Sequence, residues 1–572
     1  MLQNQDVQVE LAGAKKINVE VSKLVRLTDS NFAVEKQEIN GIVYPVFTNL
    51  PNNLSEMYNN VAQEHGDKEF LIYQSERYSF NDLNQKADDF AVALLTEYNI
   101  KKGDMVVIAM RNYPEWIVAF MAITKLGAIV VPLNAWWQLD EFEFGITHCN
   151  AKLVIADQKR LNLLNDFLSQ KSIPVILARK EEESNNVSLL GDLLLKYKNS
   201  VLFEIEIKPE DAATIFYTSG STGEPKGAES NQRSILSALN TWTLLGTGAA
   251  FANGTAGKEP AFRPCALMTV PLFHVTGCHV LFLLSFFTGR KTVMMHKWDA
   301  KEALTLIEQE RVTYFNGVPT MSMEMMQHPL VSEFDTSSLT DISAGGAARP
   351  SEHVRKLYDT FPEGHASTGY GLTETNALGA VNHSGDYLGR PNSVGTATFP
   401  IVDIIIIDQY GNKLKTGEHG EIAIKSISNM VSYFKNEQAT EQVFIDGYFR
   451  TGDLGYLDED GFVFIVDRVK DIIIRGGENI SCLEVEEAIY KCGLVQECSV
   501  FALPDERLGE IVGAAIYPKS GAKICINELQ SFLSNHLASF KVPSKVFITE
   551  NALPRLGSGK LNKKQMKIDF YC

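Results

Sequence analysis

Residues 217–227 carry the densest set of groups able to bind a phosphate. They read YTSGSTGEPKG and follow ATIF at 213–216, an apolar run that predicts a buried strand. Glycines let the backbone turn tightly and present N–H groups to an anion, hydroxyls add donors, and Lys226 adds a positive charge. The spacing is not that of a P-loop, because Pro225 stands where GxxxxGK[ST] needs glycine and Gly227 where it needs Ser or Thr. A polar linker is the alternative, but we expect a phosphate loop of another kind, formed by Thr218, Ser219, Gly220, Ser221, Thr222, Gly223 and Lys226.

Three further segments carry groups suited to a nucleotide and a metal ion. PLFHVTG (271–277) places His274 at a strand end, where a lone histidine more often serves packing than chemistry. SAGGAA (343–348) is a turn of small residues that lets a flat ligand approach the backbone. STGYGLTET (367–375) offers Tyr370 for stacking, Thr373 as a donor and Glu374 as an oxygen ligand for Mg²⁺.

The last third of the chain adds an acid and several cations. YFRTGD (448–453) ends in Asp453, which is suited to the two hydroxyls of a ribose, although an Asp turn is the plainer reading. DRVKDIIIRGGENIS (467–481) supplies Arg468, Lys470 and a Gly-Gly turn. PRLGSGKL (554–561) places Lys560 on a glycine-flanked loop, which favours an ordered anion contact over a solvated tail.

The elements that must position these groups alternate between strand and helix. Apolar runs such as MVVIAM (105–110) and AIVVPL (128–133) predict buried strands, and the apolar stripe of Asn81–Tyr98 predicts a helix. Repeated β–α units indicate parallel sheets with helices on both faces. After about residue 400, VDIIIID and GEIAIKS predict an antiparallel β subdomain, and after Asp467 the pattern becomes α+β. For residues 1–50 we expect a few strands and an arm.

Composition restricts the class of protein. The 572 residues exceed a single core, so two to four domains are expected, and a net charge of −17 argues against a nucleic-acid partner. The eight cysteines form no CxxC pair, no secretory signal is visible, and we expect a cytoplasmic protein with free thiols. The apolar segment Leu267–Gly289 is long enough for a bilayer, but Pro271 and its two histidines favour a buried strand, turn and helix. We expect at most peripheral membrane association, and a monomer or homodimer.

In this order, the motifs resemble those of the adenylate-forming superfamily of acyl-CoA synthetases, luciferases and peptide-synthetase adenylation domains. The resemblance covers about residues 50–567 and includes LGAIVVPLN (126–134), YGLTE (370–374) and TGD (451–453). It implies an α/β protein whose large domain has two β/α subdomains plus a β subdomain, with a small mobile α+β C-terminal domain. The implied division is an extension (1–50), a large domain (51–466), a hinge (467–471) and a C-terminal lid domain (472–572).

The resemblance also implies a reaction in two steps. A carboxylate attacks the α-phosphate of Mg·ATP to give an acyl-adenylate and pyrophosphate, and the thiol of coenzyme A (CoA) then displaces AMP. It implies that residues 218–226 hold the β- and γ-phosphates, that Thr218 and Glu374 contact Mg²⁺, and that Thr373 touches the α-phosphate. The remaining implied contacts are Gly346, Ala347, Tyr370 and Gly371 at the adenine, Asp453 and Arg468 at the ribose, Lys560 between carboxylate and α-phosphate, His274 near the acyl pocket, Lys470 at the hinge and Gly477 towards the thiol.

The motifs specify the carboxylic acid substrate less closely than they specify the reaction. The RGGENISCLEVEEAI stretch is similar to that of CoA ligases, and the apolar residues after His274 favour a medium- or longer-chain fatty acid. An aryl- or other carboxylate-CoA ligase, or a stand-alone acyl-carrier-protein ligase, is the alternative. A non-catalytic binding protein on the same scaffold is disfavoured, because Lys226, Glu374, Asp453 and Lys560 are all present.

Overall fold

The computed structural model describes residues 11–181, 187–218, 225–347, 349–476, 478–556 and 560–571. Within them the strands are β1 (Val34–Ile39), β2 (Ile42–Phe47), β3 (Glu69–Tyr73), β4 (Glu76–Ser79), β5 (Met105–Ala109), β6 (Ile129–Pro132), β7 (Leu153–Ala156), β8 (Val175–Leu177), β9 (Ser188–Leu189), β10 (Ala212–Thr218), β11 (Lys226–Asn231), β12 (Cys265–Met268), β13 (Lys291–Met294), β14 (Tyr314–Gly317), β15 (Asp341–Gly345), β16 (His365–Tyr370), β17 (Ala380–Asn382), β18 (Gly395–Ala397), β19 (Val402–Ile407), β20 (Gly420–Ser426), β21 (Ser432–Tyr433), β22 (Phe444–Ile445), β23 (Tyr448–Leu457), β24 (Phe462–Arg468), β25 (Ile473–Arg475), β26 (Glu478–Ile480), β27 (Val495–Asp505), β28 (Gly509–Pro518) and β29 (Lys545–Ile548).

The α-helices of the described residues are α1 (Ala14–Leu24), α2 (Leu54–His65), α3 (Phe80–Tyr98), α4 (Pro114–Lys125), α5 (Leu139–His148), α6 (Gln158–Lys171), α7 (Leu190–Lys196), α8 (Gln232–Ala252), α9 (Leu284–Phe287), α10 (Ala300–Glu310), α11 (Pro319–Met326), α12 (Ser351–Thr360), α13 (Ser384–Tyr387), α14 (Glu437–Val443), α15 (Cys482–Tyr490), α16 (Ile526–Ser534) and α17 (Lys563–Tyr571). A π-helix spans Thr276–Leu283, and short 3-10 turns lie at Val331–Glu333, Thr373–Thr375 and Ser539–Lys541.

The first sheet has the strand order β21-β11-β10-β6-β5-β7-β8-β9. Strands β10, β6, β5, β7 and β8 are parallel, and β11 returns antiparallel to β10. Alternate residues of β5 face opposite ways: Val106 packs with the residues of α3 and α4, whereas Val107 packs with those of α5 and α6. Helices therefore cover both faces, as the alternating pattern predicted.

The second sheet joins a parallel group of strands to an antiparallel group that the sequence suggested was a separate subdomain. Its parallel part, β13-β12-β14-β15-β16, continues through antiparallel β17 and β18 into β24, β23, β20 and β19. The junction is the pairing of Gly395 with Val463 between β18 and β24. The predicted antiparallel β strands are present, and they form one end of this hydrogen-bonded sheet. The predicted fold class is confirmed.

The C-terminal domain is a small sheet, β26-β25-β28-β27 with β29, covered by α15 and α16. It packs on the large domain through a hydrogen bond from Gln496 to Gln327 (2.7 Å) and through the rings of Tyr490 and His353 (5.9 Å). Lys560 of this domain lies beside Gly346, just after the C-terminal end of β15.

The N-terminal segment contains a helix that the sequence reading missed. The expected strands are there as the β1–β2 hairpin, but α1 precedes them. Its buried residues, Ala14, Ile17 and Val21, form one face and pack on α8, where a Cβ at Gly248 would lie 2.6 Å from Val21. This apolar face has only three buried residues, so its pattern predicts a helix weakly until α8 is known to pack against it.

Two apolar segments bear on membrane association. Leu267–Gly289 folds as the end of β12, a turn, the π-helix and α9, with most of its residues buried, as expected. In the part of the chain that is described, one helix, α8, has the length and hydropathy of a membrane span. It lies against α1 and the second sheet, and more than half of its apolar window is buried inside the fold.

Helix α4 carries a buried charge next to the first sheet. Lys125 is 1% exposed, and its Nζ donates to Asp88 Oδ1 (2.5 Å) on α3 and to Asn59 Oδ1 (3.0 Å) on α2. Burial lowers the pKa of Lys125, and Asp88 opposes that shift. The ion pair thus links α4 to α3, and the hydrogen bond to Asn59 links α4 to α2.

We expect Asp88→Ala to weaken this part of the fold by about 3 kcal/mol, because it leaves a buried ammonium without its counter-ion. Lys125→Met, which removes the charge and keeps the volume, should cost less than about 1 kcal/mol. Native-state hydrogen exchange of the α4 amides measures the difference. Equal protection in the two variants would contradict the assigned role of the pair.

Candidate active site

The site lies where the C-terminal ends of β10, β15 and β16 approach β23 and the loop that bears Lys560. Thr218 ends β10, Gly346 and Ala347 follow β15 and are exposed, and Tyr370 ends β16. Ligands of open α/β sheets bind at this edge, because the connecting loops open there. The fold therefore brings together segments more than two hundred residues apart.

The described ends of the phosphate loop are held by a short hairpin. Thr218 pairs with Lys226 across β10 and β11, and its hydroxyl donates to the Lys226 carbonyl at 3.4 Å. The predicted residues Ser219, Gly220, Ser221, Thr222 and Gly223 lie outside the described residues, as does Gly477. The two ends of the loop are thus in place, and the contacts of its centre stay a prediction.

Lys226 and Glu374 are linked by a tyrosine that the sequence reading missed. Lys226 Nζ lies 5.0 Å from the centre of the Tyr433 ring, and the Tyr433 hydroxyl donates to Glu374 Oε1 at 2.8 Å. Burial beside Glu374 raises the pKa of Tyr433, so the hydroxyl remains a donor. No local spacing marks Tyr433, because it reaches the site through pairing of β21 with β11.

Glu374 fits the predicted role of a magnesium ligand. It is 9% exposed on the turn Thr373–Thr375, and its Oε2 has no hydrogen-bond partner among the described residues. Within those residues there is no cluster of three or more His, Cys, Asp or Glu side chains. Mg²⁺ is commonly held by one or two protein ligands together with substrate phosphates, so Glu374 with Thr218 is a suitable donor set.

The turn that carries Thr373 and Glu374 requires glycine at its start. A Cβ at Gly371 would lie 2.4 Å from the backbone of Ala377, and Asn376 and Ala377 both have positive φ (52° and 66°). The turn is closed further by the Glu374 carbonyl, which accepts from the Met430 N–H at 2.7 Å. Gly371 therefore shapes the loop through close approach of backbone to backbone.

Asp453 is a buried acceptor held from two sides. Its Oδ2 accepts from the Tyr370 hydroxyl at 2.7 Å, and its Oδ1 lies 3.0 Å from Arg468 Nε, which pairs with it across β23 and β24. Asp453 is 3% exposed, and burial beside it raises the pKa of Tyr370. Tyr370, predicted as a stacking residue, thus also orients the predicted ribose acceptor.

Lys560 crosses from the C-terminal domain into this site. Its loop is closed by the bridge between Arg555 and Leu561 and by a hydrogen bond from the Leu556 N–H to the Lys560 carbonyl (2.7 Å). Its Cε would lie 3.1 Å from a Cβ built on Gly346, whose φ is +76°. Burial and Arg468 lower the pKa of Lys560, while Asp453 and Glu374 oppose the shift.

His274 and Lys470 lie at the margins of the same site. Burial and the nearby Lys560 lower the pKa of His274 to about 3, so its ring is neutral, and its Nε2 is buried without a partner among the described residues. Lys470 is exposed at the predicted hinge, and burial of its neighbourhood, together with Arg468 and Lys226, lowers its pKa. The structure thus gathers every described residue predicted for catalysis or nucleotide binding around one cleft.

Comparison with known proteins agrees with this geometry. The family model of the AMP-binding enzyme matches residues 58–434, and that of the AMP-binding enzyme C-terminal domain matches residues 484–560. A long-chain-fatty-acid–CoA ligase of Bacillus subtilis is 31% identical over 546 residues, covering 90% of this chain and 94% of its own. A feruloyl-CoA synthase of an Amycolatopsis species is 31% identical over 479 residues, covering 82% and 90%.

A solved structure shares the fold. The o-succinylbenzoate coenzyme A synthetase (MenE) of Bacillus subtilis, in complex with ATP and a magnesium ion, superposes with a TM-score of 0.75 at 27% identity. The match covers 89% of this chain and 99% of that protein. The similarity therefore extends over both domains.

Asp453→Ala should raise the KM for ATP about tenfold or more with a smaller effect on kcat, because it removes charged hydrogen bonds made in ground and transition states alike. Tyr370→Phe, which keeps the carboxylate and removes one of its donors, should raise that KM less. Steady-state kinetics in ATP distinguishes the two variants. An unchanged ATP dependence of Asp453→Ala would refute a nucleotide contact.

The pH dependence of ATP use should report Lys560. An ammonium is charged below its pKa, and burial lowers that pKa, so kcat/KM for ATP should decline with rising pH before an ordinary lysine would titrate. Lys560→Arg should move the decline to higher pH, since a guanidinium stays charged. Acid-dependent exchange between ATP and pyrophosphate provides the rates. An identical alkaline limb in the two enzymes would assign it to another group.

Proposed function

This chain belongs to the AMP-binding enzyme family, as an AMP-forming acid–thiol ligase that uses ATP, Mg²⁺ and CoA, and we propose that its acid is a medium- or longer-chain fatty acid. The observation that carries the proposed activation of a carboxylate by ATP is the position of Lys560. Its side chain extends from the C-terminal domain over Gly346, and the charges of Asp453 and Glu374 act to raise its pKa.

The first half-reaction needs positioning and charge neutralisation more than covalent help from the protein. A carboxylate oxygen of the acid attacks the α-phosphorus, the bond to the bridging oxygen breaks, and pyrophosphate leaves. In our proposal Lys560 neutralises both the carboxylate and the α-phosphate, and Thr373 donates to that phosphate. Bound Mg²⁺ would neutralise phosphate oxygens next to Glu374 and Thr218.

The other nucleotide contacts follow from the same placement. Thr218, Lys226 and the loop between them would hold the β- and γ-phosphates, while Tyr370 and Gly371 would lie at the adenine with Gly346 and Ala347. Asp453, with Arg468 beside it, would accept from the ribose hydroxyls. Two tyrosines hold the carboxylates in place before any ligand binds, so little reorganisation is needed.

The second half-reaction requires Lys560 to be withdrawn from the site. The CoA sulfur attacks the carbonyl carbon of the acyl-adenylate, AMP departs with the bonding electrons, and the thiol proton passes to solvent. We propose that the C-terminal domain turns about the hinge at Lys470 between the steps. The small polar contacts between the domains, such as Gln496 with Gln327, are of a kind that can be exchanged.

The choice of a fatty acid has two supports. The relative from Bacillus subtilis is named for a long-chain fatty acid. The π-helix after His274 is apolar and buried. An aryl acid is the second candidate, favoured by the equally similar feruloyl-CoA synthase.

A panel of fatty and aryl acids with ATP, Mg²⁺ and CoA, followed by AMP release, tests the proposal. We expect turnover with medium- or longer-chain fatty acids to exceed that with aryl acids. Lys560→Ala should abolish ATP–pyrophosphate exchange and still convert preformed acyl-adenylate to acyl-CoA. A preference for aryl acids would refute the fatty acid and favour the aryl acid as substrate. The absence of ATP–pyrophosphate exchange with every acid would refute the ligase activity. Equal loss of both half-reactions in Lys560→Ala would refute its role.

A further inference from the structure

We infer that the acid carries a hydroxyl or oxo group at the end far from its carboxylate, and that Arg290, Tyr314 and Asp341 bind this group at the floor of a channel between α8 and the second sheet. The inference rests on the proposed function and specifies the class of acid further. It refines a plain fatty acid to one with a polar distal end.

The alternation of burial along β15 and β16 points to this channel. Residues at every second position are fully buried and pack with the helices on one side of the sheet, as Ile342 and Ala366 do. The intervening residues keep part of their accessible surface, although both strands have neighbours on either side. An incompletely packed face in the middle of a sheet indicates space between that face and what covers it.

Helix α8 forms the opposite wall of this space. The Trp242 ring of α8 packs directly over Gly369 of β16, where a built Cβ would lie 3.7 Å from it in ordinary contact. Over Gly345 of β15 a built Cβ would meet nothing closer than the Gly369 carbonyl at 3.7 Å, so the open space lies over β15 beside the indole. The two glycines pair in register next to Gly346 and Tyr370. The channel therefore opens directly beneath the nucleotide-binding turns and Lys560.

The wall on the sheet side is polar below the glycines. Register pairing places Asn316, Ser343 and Ser367 in one row, and Tyr314 and Asp341 in the row beneath. Ser367 donates to Asp341 Oδ1 at 3.1 Å, and Asn316 Nδ2 donates to the Tyr314 hydroxyl at 3.0 Å. Asn316 is 6% exposed, and its Oδ1 has no partner among the described residues. A buried amide oxygen left without a donor is costly and indicates an unfilled contact.

Arg290 closes the far end. Its guanidinium lies 4.5 Å from the centre of the Tyr314 ring, its Nε donates to Ser285 Oγ at 3.0 Å, and its Nη2 donates to the Val280 carbonyl at 3.4 Å. In the described part of the chain no carboxylate lies within ion-pair distance of it. Burial raises the pKa of Asp341 to about 6, with Ser367, Arg290 and Arg349 opposing, so this carboxyl is able both to accept and to donate. The floor thus presents donors and an acceptor to a single small polar group.

The length of the channel fits an acyl chain. Gly345 lies at the reacting end and Asp341 at the floor, four residues earlier on β15. At a rise of about 3.3 Å per residue, the polar floor lies about 13 Å below the carboxylate position. A methyl end placed there would cover Arg290 and Asp341 without replacing their water contacts, and sites of this kind reject substrates that lack the hydrogen-bonding group.

The test compares acids that differ only at the distal end. Fatty acids from octanoic to hexadecanoic, each with its ω-hydroxy partner, and cinnamic with p-coumaric acid, are assayed by AMP release. At the chain length that is used best, we expect the hydroxylated acid to have a kcat/KM about a hundredfold higher. AMP release without such a preference overturns this inference and leaves the proposed ligase activity standing. No release with any acid overturns both.

A double variant identifies the residues. Arg290→Met with Asp341→Leu removes both charges together, so that neither is left buried alone, and it should reduce the preference to near unity while the KM for ATP stays unchanged. The matched control is Arg311→Met with Asp335→Leu, an exposed ion pair on the surface, which should keep the wild-type preference. Retention of the preference in the first variant would refute the assignment. The wild-type comparison decides the inference even where the variant does not fold.

Discussion

Repulsion between cations in one cleft governs the arrangement of this protein. Burial and Arg468 lower the pKa of Lys560, and burial, Arg468 and Lys226 lower the pKa of Lys470. Asp453 and Glu374 oppose the shift of Lys560, and Asp471 and Asp453 oppose that of Lys470. The cleft is therefore positive although the chain carries a net charge of −17. A local excess of positive charge favours a triphosphate and a carboxylate together, and it favours withdrawal of Lys560 once pyrophosphate has gone.

The two acids that offset this charge are each held by a tyrosine from another part of the chain. Tyr370 donates to Asp453, and Tyr433 donates to Glu374. Burial raises the pKa of both tyrosines, so each remains a donor and fixes its carboxylate in one orientation. Carboxylates held in this way need little rearrangement when ligands bind.

In the proposed function, strands β15 and β16 serve the nucleotide and the acid at once. Their C-terminal ends form the turns at Gly346 and Tyr370, one face of each strand packs in the apolar core, and the other face lines the acyl channel. Because the two faces alternate residue by residue, polar side chains at Ser343 and Ser367 alter the channel without disturbing the core. Specificity for the acid is thereby separated from the chemistry of activation.

The sequence alone determined many of the elements and the class of reaction. Apolar runs and caps located many of the strands and helices after residue 50, such as β5, β6 and α3, because local periodicity and capping are short-range properties. They did not locate α5, α6 or α12, and the ordered motifs predicted the residues that meet ATP. It missed α1, whose short apolar face has meaning only against α8, and it separated β strands that hydrogen bonding joins into one sheet. Tertiary structure alone brought Tyr433 to Glu374 and placed Arg290 beneath the polar face of β14 and β15, because such contacts depend on strand pairing and packing between distant segments.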